Sequence, residues 1–133
     1  MIKDQHGFHQ KCVFENLRFD TKYPTDIDAF MEVNDKYFIF IEAKRGNKEM
    51  DLGQRLALER LCDVVGYARE SLLIVCRHDS DEDIDLGNCL VKKYRYKHEW
   101  YVELDEITVR QKVQSFIYRG DLQSRLGDLK QPV

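Results

Sequence analysis

Apolar and polar positions along this chain change period in a way that marks out its elements. The densest apolar run is Tyr37-Phe38-Ile39-Phe40-Ile41, five residues that pass directly into Glu42-Ala43-Lys44. Such a run predicts a strand buried on both faces. Pro24 and Thr25 introduce a preceding strand over Asp26 to Val33, and Asn34-Asp35 make a turn between the two, so the pair reads as a hairpin. Gly46 and Asn47 end that hairpin. A helix then starts at Asp51 or Gly53 and runs to about Arg69, with its apolar stripe at Leu58, Leu61, Cys62, Val65 and Ala68. Ser71 to Cys76 is a short buried strand. Cys89 to Glu103 reads as two strands meeting near Lys97-His98, and Ile107 to Tyr118 as a final amphipathic helix. Upstream, Phe8 to Leu17 is expected to form a short helix. The expected organisation is one domain over residues 1–120, followed by a polar tail over 121–133.

Composition changes this picture little. A 133-residue chain with 43% hydrophobic residues is long enough for one core. No apolar run approaches membrane-spanning length, and the polar start MIKDQHGFHQ has no apolar h-region, so the expected location is cytoplasmic, away from membranes. The cysteines at 12, 62, 76 and 89 form no C-x-x-C pair, which points to free thiols rather than zinc.

Charge matters more. With a net charge of -3, bulk electrostatic attachment to nucleic acid is excluded, so any such binding must be local. Lys44, Arg45, Lys48, Arg55 and Arg60 gather near the middle of the chain. The run KKYRYKHEWY interleaves cations and rings, and suits a half-buried strand better than a base-stacking surface. Asp79, Asp81, Asp83 and Asp85 alternate like a calcium loop, but Ile84 and Leu90 stand where that loop needs glycine and glutamate.

The candidate chemistry lies at the end of the apolar strand. Side chains alternate across a strand, so Phe38, Phe40, Glu42 and Lys44 share one face. An ionised glutamate there loses hydration worth several kcal/mol unless a partner replaces the water. Lys44 can be that partner in a plain ion pair. The preceding strand, however, also delivers Asp26 and Asp28. Carboxylates brought together repel, and a divalent cation with oxygen ligands compensates them. An adjacent lysine can orient the metal-bound water or balance charge on a phosphate, so acids and amine together describe phosphodiester hydrolysis. Hairpin register decides whether this site can form. A two-residue loop would put Asp28 and Glu42 on opposite faces, whereas a three-residue loop through Lys36 sets them directly opposite one another.

In these residues the chain resembles the PD-(D/E)xK nucleases, the fold of type II restriction endonucleases and archaeal Holliday-junction resolvases. Asp28 matches the first acid, and Glu42-Ala43-Lys44 matches the (D/E)xK triplet. The literal Pro-Asp pair is absent, because Thr25 and then Asp26 follow Pro24, which leaves either Asp26 or Asp28 as the principal ligand. The resemblance implies an α/β, restriction-endonuclease-like αβββαβ core with a mixed central sheet flanked by helices. It implies a DNA nuclease using Mg²⁺ or Mn²⁺, an endonuclease rather than an exonuclease, with a structure-selective role in recombination, repair or replication. Glu15 would match a metal-assisting glutamate of an N-terminal helix, and Gln54 a glutamine that orders the metal water. Gln54 shares the helix stripe of Leu58, Leu61 and Val65 and so faces the sheet. Arg45, Lys48 and Arg55 would grip flanking phosphates, and the small size suggests a homodimer with two sites. The alternative is a catalytically silent module of the same fold that binds nucleic acid or a protein.

Overall fold

A computed structural model of the chain describes residues 13–130, with side chains to residue 127. It is α/β: one five-stranded mixed sheet with a helix packed on each face. The strands are β1 (Ala29–Val33), β2 (Tyr37–Arg45), β3 (Glu70–His78), β4 (Leu90–Tyr96) and β5 (Glu99–Val102). The helices are α1 (Leu52–Gly66), between β2 and β3, and α2 (Val109–Lys130), after β5. Strand order in space follows the chain, β1-β2-β3-β4-β5. Only β2 and β3 run parallel, because α1 carries the chain back to the start of the sheet between them, and the other neighbours are antiparallel.

The two-sided burial expected of β2 follows from this layering. Ile39 and Ile41 point into one core with Leu72, Ile74, Cys76 and Val91, closed by Val109 and Val113 of α2. Phe40 points the other way, into a second core with Leu73, Val75, Leu58, Cys62 and Met50 under α1. Leu61 and Val65 pack at the margin of that second core, so the helix stripe read from the sequence is the face that docks. Asp51 caps α1, its carboxylate accepting the Gln54 backbone N–H at 2.8 Å. The β4–β5 hairpin turns at Lys97-His98, where expected, with both residues left-handed at φ 50 and 68°.

Four expectations require correction. The first strand starts at Ala29 rather than Asp26, because Pro24 to Asp28 run beside the sheet without a ladder partner. The expected helix over 8–17 falls partly outside the described residues; within them only a 3₁₀ turn, Glu15–Leu17, forms, and it buries nothing. Two strands, not three, precede α1 among the described residues. Finally, the last helix does not stop at Tyr118. It continues through Gly120 to Lys130, where a polar tail was expected. Gly120 is a contact point rather than a stop, since a Cβ there would meet the buried Tyr37 ring at 2.5 Å. The ring's hydroxyl donates to Asp121 at 2.6 Å, and Lys36 Nζ donates to the Gly120 carbonyl at 3.3 Å.

Candidate active site

The β1–β2 hairpin has the three-residue loop. Asn34 and Asp35 take left-handed φ of 56 and 54°, which short polar side chains tolerate, and the Lys36 N–H donates to the Val33 carbonyl at 3.0 Å. Val33 therefore pairs with Tyr37, and the register runs through Ala29 opposite Ile41. The ladder ends there, but extending its register by one step brings Asp28 level with Glu42, and the Asp28 charge is felt by the Glu42 carboxyl.

Glu42 is the unusual group. It is only 4% exposed, one of two buried polar or charged residues among the described ones. Its Oε1 accepts from Gln54 Nε2 at 2.9 Å and lies 3.6 Å from Lys44 Nζ. Its Oε2 is buried with no partner among the described residues, and so is Gln54 Oε1. Burial pushes the Glu42 carboxyl above the ordinary carboxylate range, the nearby Asp28 charge pushes it further, and Lys44 and Gln54 oppose both. Asp28 is exposed, and its Oδ2 accepts the Ala43 backbone N–H at 2.8 Å, which fixes the carboxylate at the mouth of the site.

The donor set fits a hard divalent cation. Two carboxylates converge, one with a buried, unpartnered oxygen, and such sites leave the remaining positions to water and phosphate oxygens. Among the described residues no group of three His, Cys, Asp or Glu side chains could hold a metal, so the set is a pair. Asp26 lies nearby, on the wall of an open cleft of about 620 Å³ that Lys44, Gln54 and Arg60 also line. Glu15 lies in a neighbouring hollow with Val13, Phe14 and Arg18, outside that cleft.

The expected phosphate-gripping residues are not gathered at this site. Arg45 follows Lys44 by one position, so alternation sends its side chain to the opposite face, where it pairs with Asp81. Lys48 is exposed in the loop after β2, and Arg55 is exposed beside Glu59, 3.7 Å away on α1. The cations lining the cleft are instead Lys22, Lys44 and Arg60. Arg77, exposed on β3, pairs in register with Lys44 and so shares its face. Sequence reasoning missed it, although the alternation of Leu73, Val75 and Arg77 along SLLIVCR carried the signal.

The interleaved KKYRYKHEWY run is committed internally, as a half-buried strand should be. Lys92 and Lys93 pair with Glu49 at 2.6 and 3.2 Å, and Arg95 grips Asp63 with two bonds of 2.8 and 2.7 Å. Trp100 Nε1 donates to Glu59 at 2.6 Å. Cys62, Cys76 and Cys89 are free, buried thiols, and burial pushes Cys76 up to about 12, far from a reactive thiolate. No described helix is long and apolar enough to cross a membrane. Comparison with protein-family models, curated proteins and solved structures finds no match.

Proposed function

We propose that the chain is a metal-dependent DNA nuclease of the restriction-endonuclease-like type, cutting phosphodiester bonds at the Asp28–Glu42–Lys44 site. One observation carries the reading: Glu42 is almost wholly buried, close enough to Asp28 to feel its charge, with one oxygen left without a partner. A purely structural ion pair would satisfy both oxygens. Leaving a buried acceptor unpaired costs about 1–3 kcal/mol, and more when it is charged, so the arrangement makes sense where a ligand completes it.

Asp28 and Glu42 would hold Mg²⁺ or Mn²⁺; Asp26 stays on the cleft wall, outside that pair. A bound divalent ion supplies Lewis acidity toward a phosphate oxygen and lowers the pKa of a coordinated water. Gln54 ties up Glu42 Oε1, which orients the carboxylate and leaves Oε2 for the ligand side. The Lys44 ammonium, 3.6 Å from the same carboxylate, is positioned to balance charge accumulating on the attacked phosphate. Arg60 and Lys22 on the cleft wall, and Arg77 beside Lys44, would hold flanking phosphates.

The test is to incubate purified protein with linear, circular, flapped and four-way DNA in Mg²⁺, Mn²⁺ or EDTA. The expected result is metal-dependent cutting, and cutting of circular DNA identifies an endonuclease. Failure to cut any of these substrates in either metal would leave Glu42 and Lys44 as a structural pair in a silent module.

A further inference from the structure

The arm that precedes β1 forms one wall of the cleft and carries rings that the core does not use. Phe19 and Tyr23 are 63 and 65% exposed, and Leu17 and Phe14 beside them are 54 and 43% exposed. They are not loosely held. Phe19 and Lys22 exchange backbone hydrogen bonds of 2.8 and 2.9 Å across a tight turn whose Asp20 is left-handed at φ 58°. Residues paired this way project to the same side, so the Phe19 ring and the Lys22 ammonium present together. The Arg18 guanidinium lies over the Tyr23 ring, 5.6 Å from its centroid, while most of the residue stays exposed. Tyr23 and Pro24 line both the cleft and the neighbouring hollow of about 400 Å³, so a chain passing from one to the other crosses the Tyr23 ring.

Resting on the nuclease reading above, we propose that this arm is a stacking platform, and that the substrate it selects is DNA with unpaired nucleotides next to the cut site. In a duplex the base faces are covered by their neighbours, so exposed ring faces gain nothing from it; an unpaired base can lie flat on them. Charge agrees with a polynucleotide occupant. Cations alternate with the rings at Arg18 and Lys22, and the cleft beyond carries three cations, Lys22, Lys44 and Arg60, against two carboxylates, of which Asp51 is engaged in capping α1. This polarity also gives the substrate a direction, with bases on the arm and the phosphate entering the cleft toward Lys44.

The test compares fluorescence-anisotropy binding, in EDTA, of a labelled single-stranded oligonucleotide and a blunt duplex of the same sequence. The proteins are the wild type, Phe19→Leu, Tyr23→Leu and the double variant. Leucine keeps apolar bulk and removes the flat ring, and both sites are exposed, so equal melting temperatures establish that the fold is retained. The wild type is expected to prefer the single strand, and each substitution to lower the ratio of single-strand to duplex affinity by about tenfold. A wild type that prefers duplex, or variants that leave the ratio unchanged, would overturn the platform while the nuclease reading stands. Metal-dependent cutting that is absent on every substrate would remove the nuclease reading itself, and the platform with it.

Discussion

Two carboxylate–cation pairs sit on the same face of the sheet, one near each end of α1, and they are completed to different degrees. Asp63 and Arg95 meet through two parallel bonds of 2.8 and 2.7 Å, and that bonding holds the Asp63 carboxyl below the ordinary carboxylate range. Glu42 and Lys44 are 3.6 Å apart, Glu42 keeps an oxygen without a partner, and its carboxyl is pushed up rather than down. Both pairs are shielded, so exposure does not explain the difference. Completion does. The guanidinium fork matches the carboxylate and His98 Nδ1 lies 3.4 Å from Asp63 Oδ2, so both oxygens are engaged, whereas a single ammonium beside a crowded carboxylate leaves room for another ligand. One pair is complete within the fold, and the other keeps an acceptor free, as the proposed function requires.

The contrast can be broken first at the incomplete pair, where the largest effects are expected. Lys44→Met keeps the aliphatic stem and removes the ammonium, so the protein should fold while DNA cleavage falls by about 10² or more, the scale for losing one electrostatic stabiliser. Glu42→Gln should abolish cleavage by a different route, which calorimetry separates: Mn²⁺ affinity drops for Glu42→Gln and much less for Lys44→Met.

Next in size is the response to metal. Mg²⁺ or Mn²⁺ at a hundred times its Kd should stabilise the wild type by about 2.7 kcal/mol. Thermal denaturation should show that shift disappearing in Glu42→Gln and persisting in Asp63→Asn. A shift retained in Glu42→Gln would place the ion elsewhere.

At the complete pair, Asp63→Ala strands a shielded guanidinium and is expected to cost about 2 kcal/mol in urea denaturation, with metal affinity unchanged. Loss of metal affinity alongside stability would mean that the two pairs are coupled through α1.

The smallest effect is the sharpest, because its sign differs between the pairs. Asp63 has a depressed pKa in the fold, so its stabilising contribution is present above the unfolded value of about 3.9 and is lost as pH falls through the folded value. Glu42 has a raised pKa, so the fold binds its proton more tightly than the unfolded chain does. Its contribution is full below the unfolded value of about 4.3 and is lost as pH rises through the folded one. In EDTA at pH 7, Glu42→Gln should therefore melt higher than the wild type, and the gap should close on acidification. Asp63→Asn should melt lower, with a gap that also closes in acid. Equal signs, or the two signs interchanged, would contradict the assignment of one completed and one incomplete pair.

What could be read in advance follows the same division between periodic and aperiodic chain. The hairpin, its register, and the shared face of Glu42, Lys44 and Gln54 were legible because alternation in β2 and the stripe of α1 each follow one period and meet at one end of the sheet. Arg45 was misread by grouping cations along the chain rather than by face; a single step along a strand reverses the side chain. The end of α2 was misread because glycine normally ends a helix, and only the distant Tyr37 ring explains a glycine kept inside one. The segment before β1 has no period at all. Its rings, and the position of Glu15 beside rather than within the cleft, depend on a turn made by Phe19 and Lys22 that no pattern announces.

The tip of the loop, Asn34-Asp35, is exposed, and exposed loop tips usually accept insertions and deletions freely. This one cannot. It lies six residues before Glu42, about 20 Å along an extended strand, yet its length sets which face Asp28 occupies relative to Glu42. Removing one residue would leave the hydrophobic content and the side chains of Asp28, Glu42 and Lys44 in place, and would still put Asp28 on the wrong side of the sheet from Glu42. Loop length here behaves as a parity bit for the proposed site, so on the nuclease reading a change of length at this tip is expected to abolish cleavage more surely than most substitutions around Glu42.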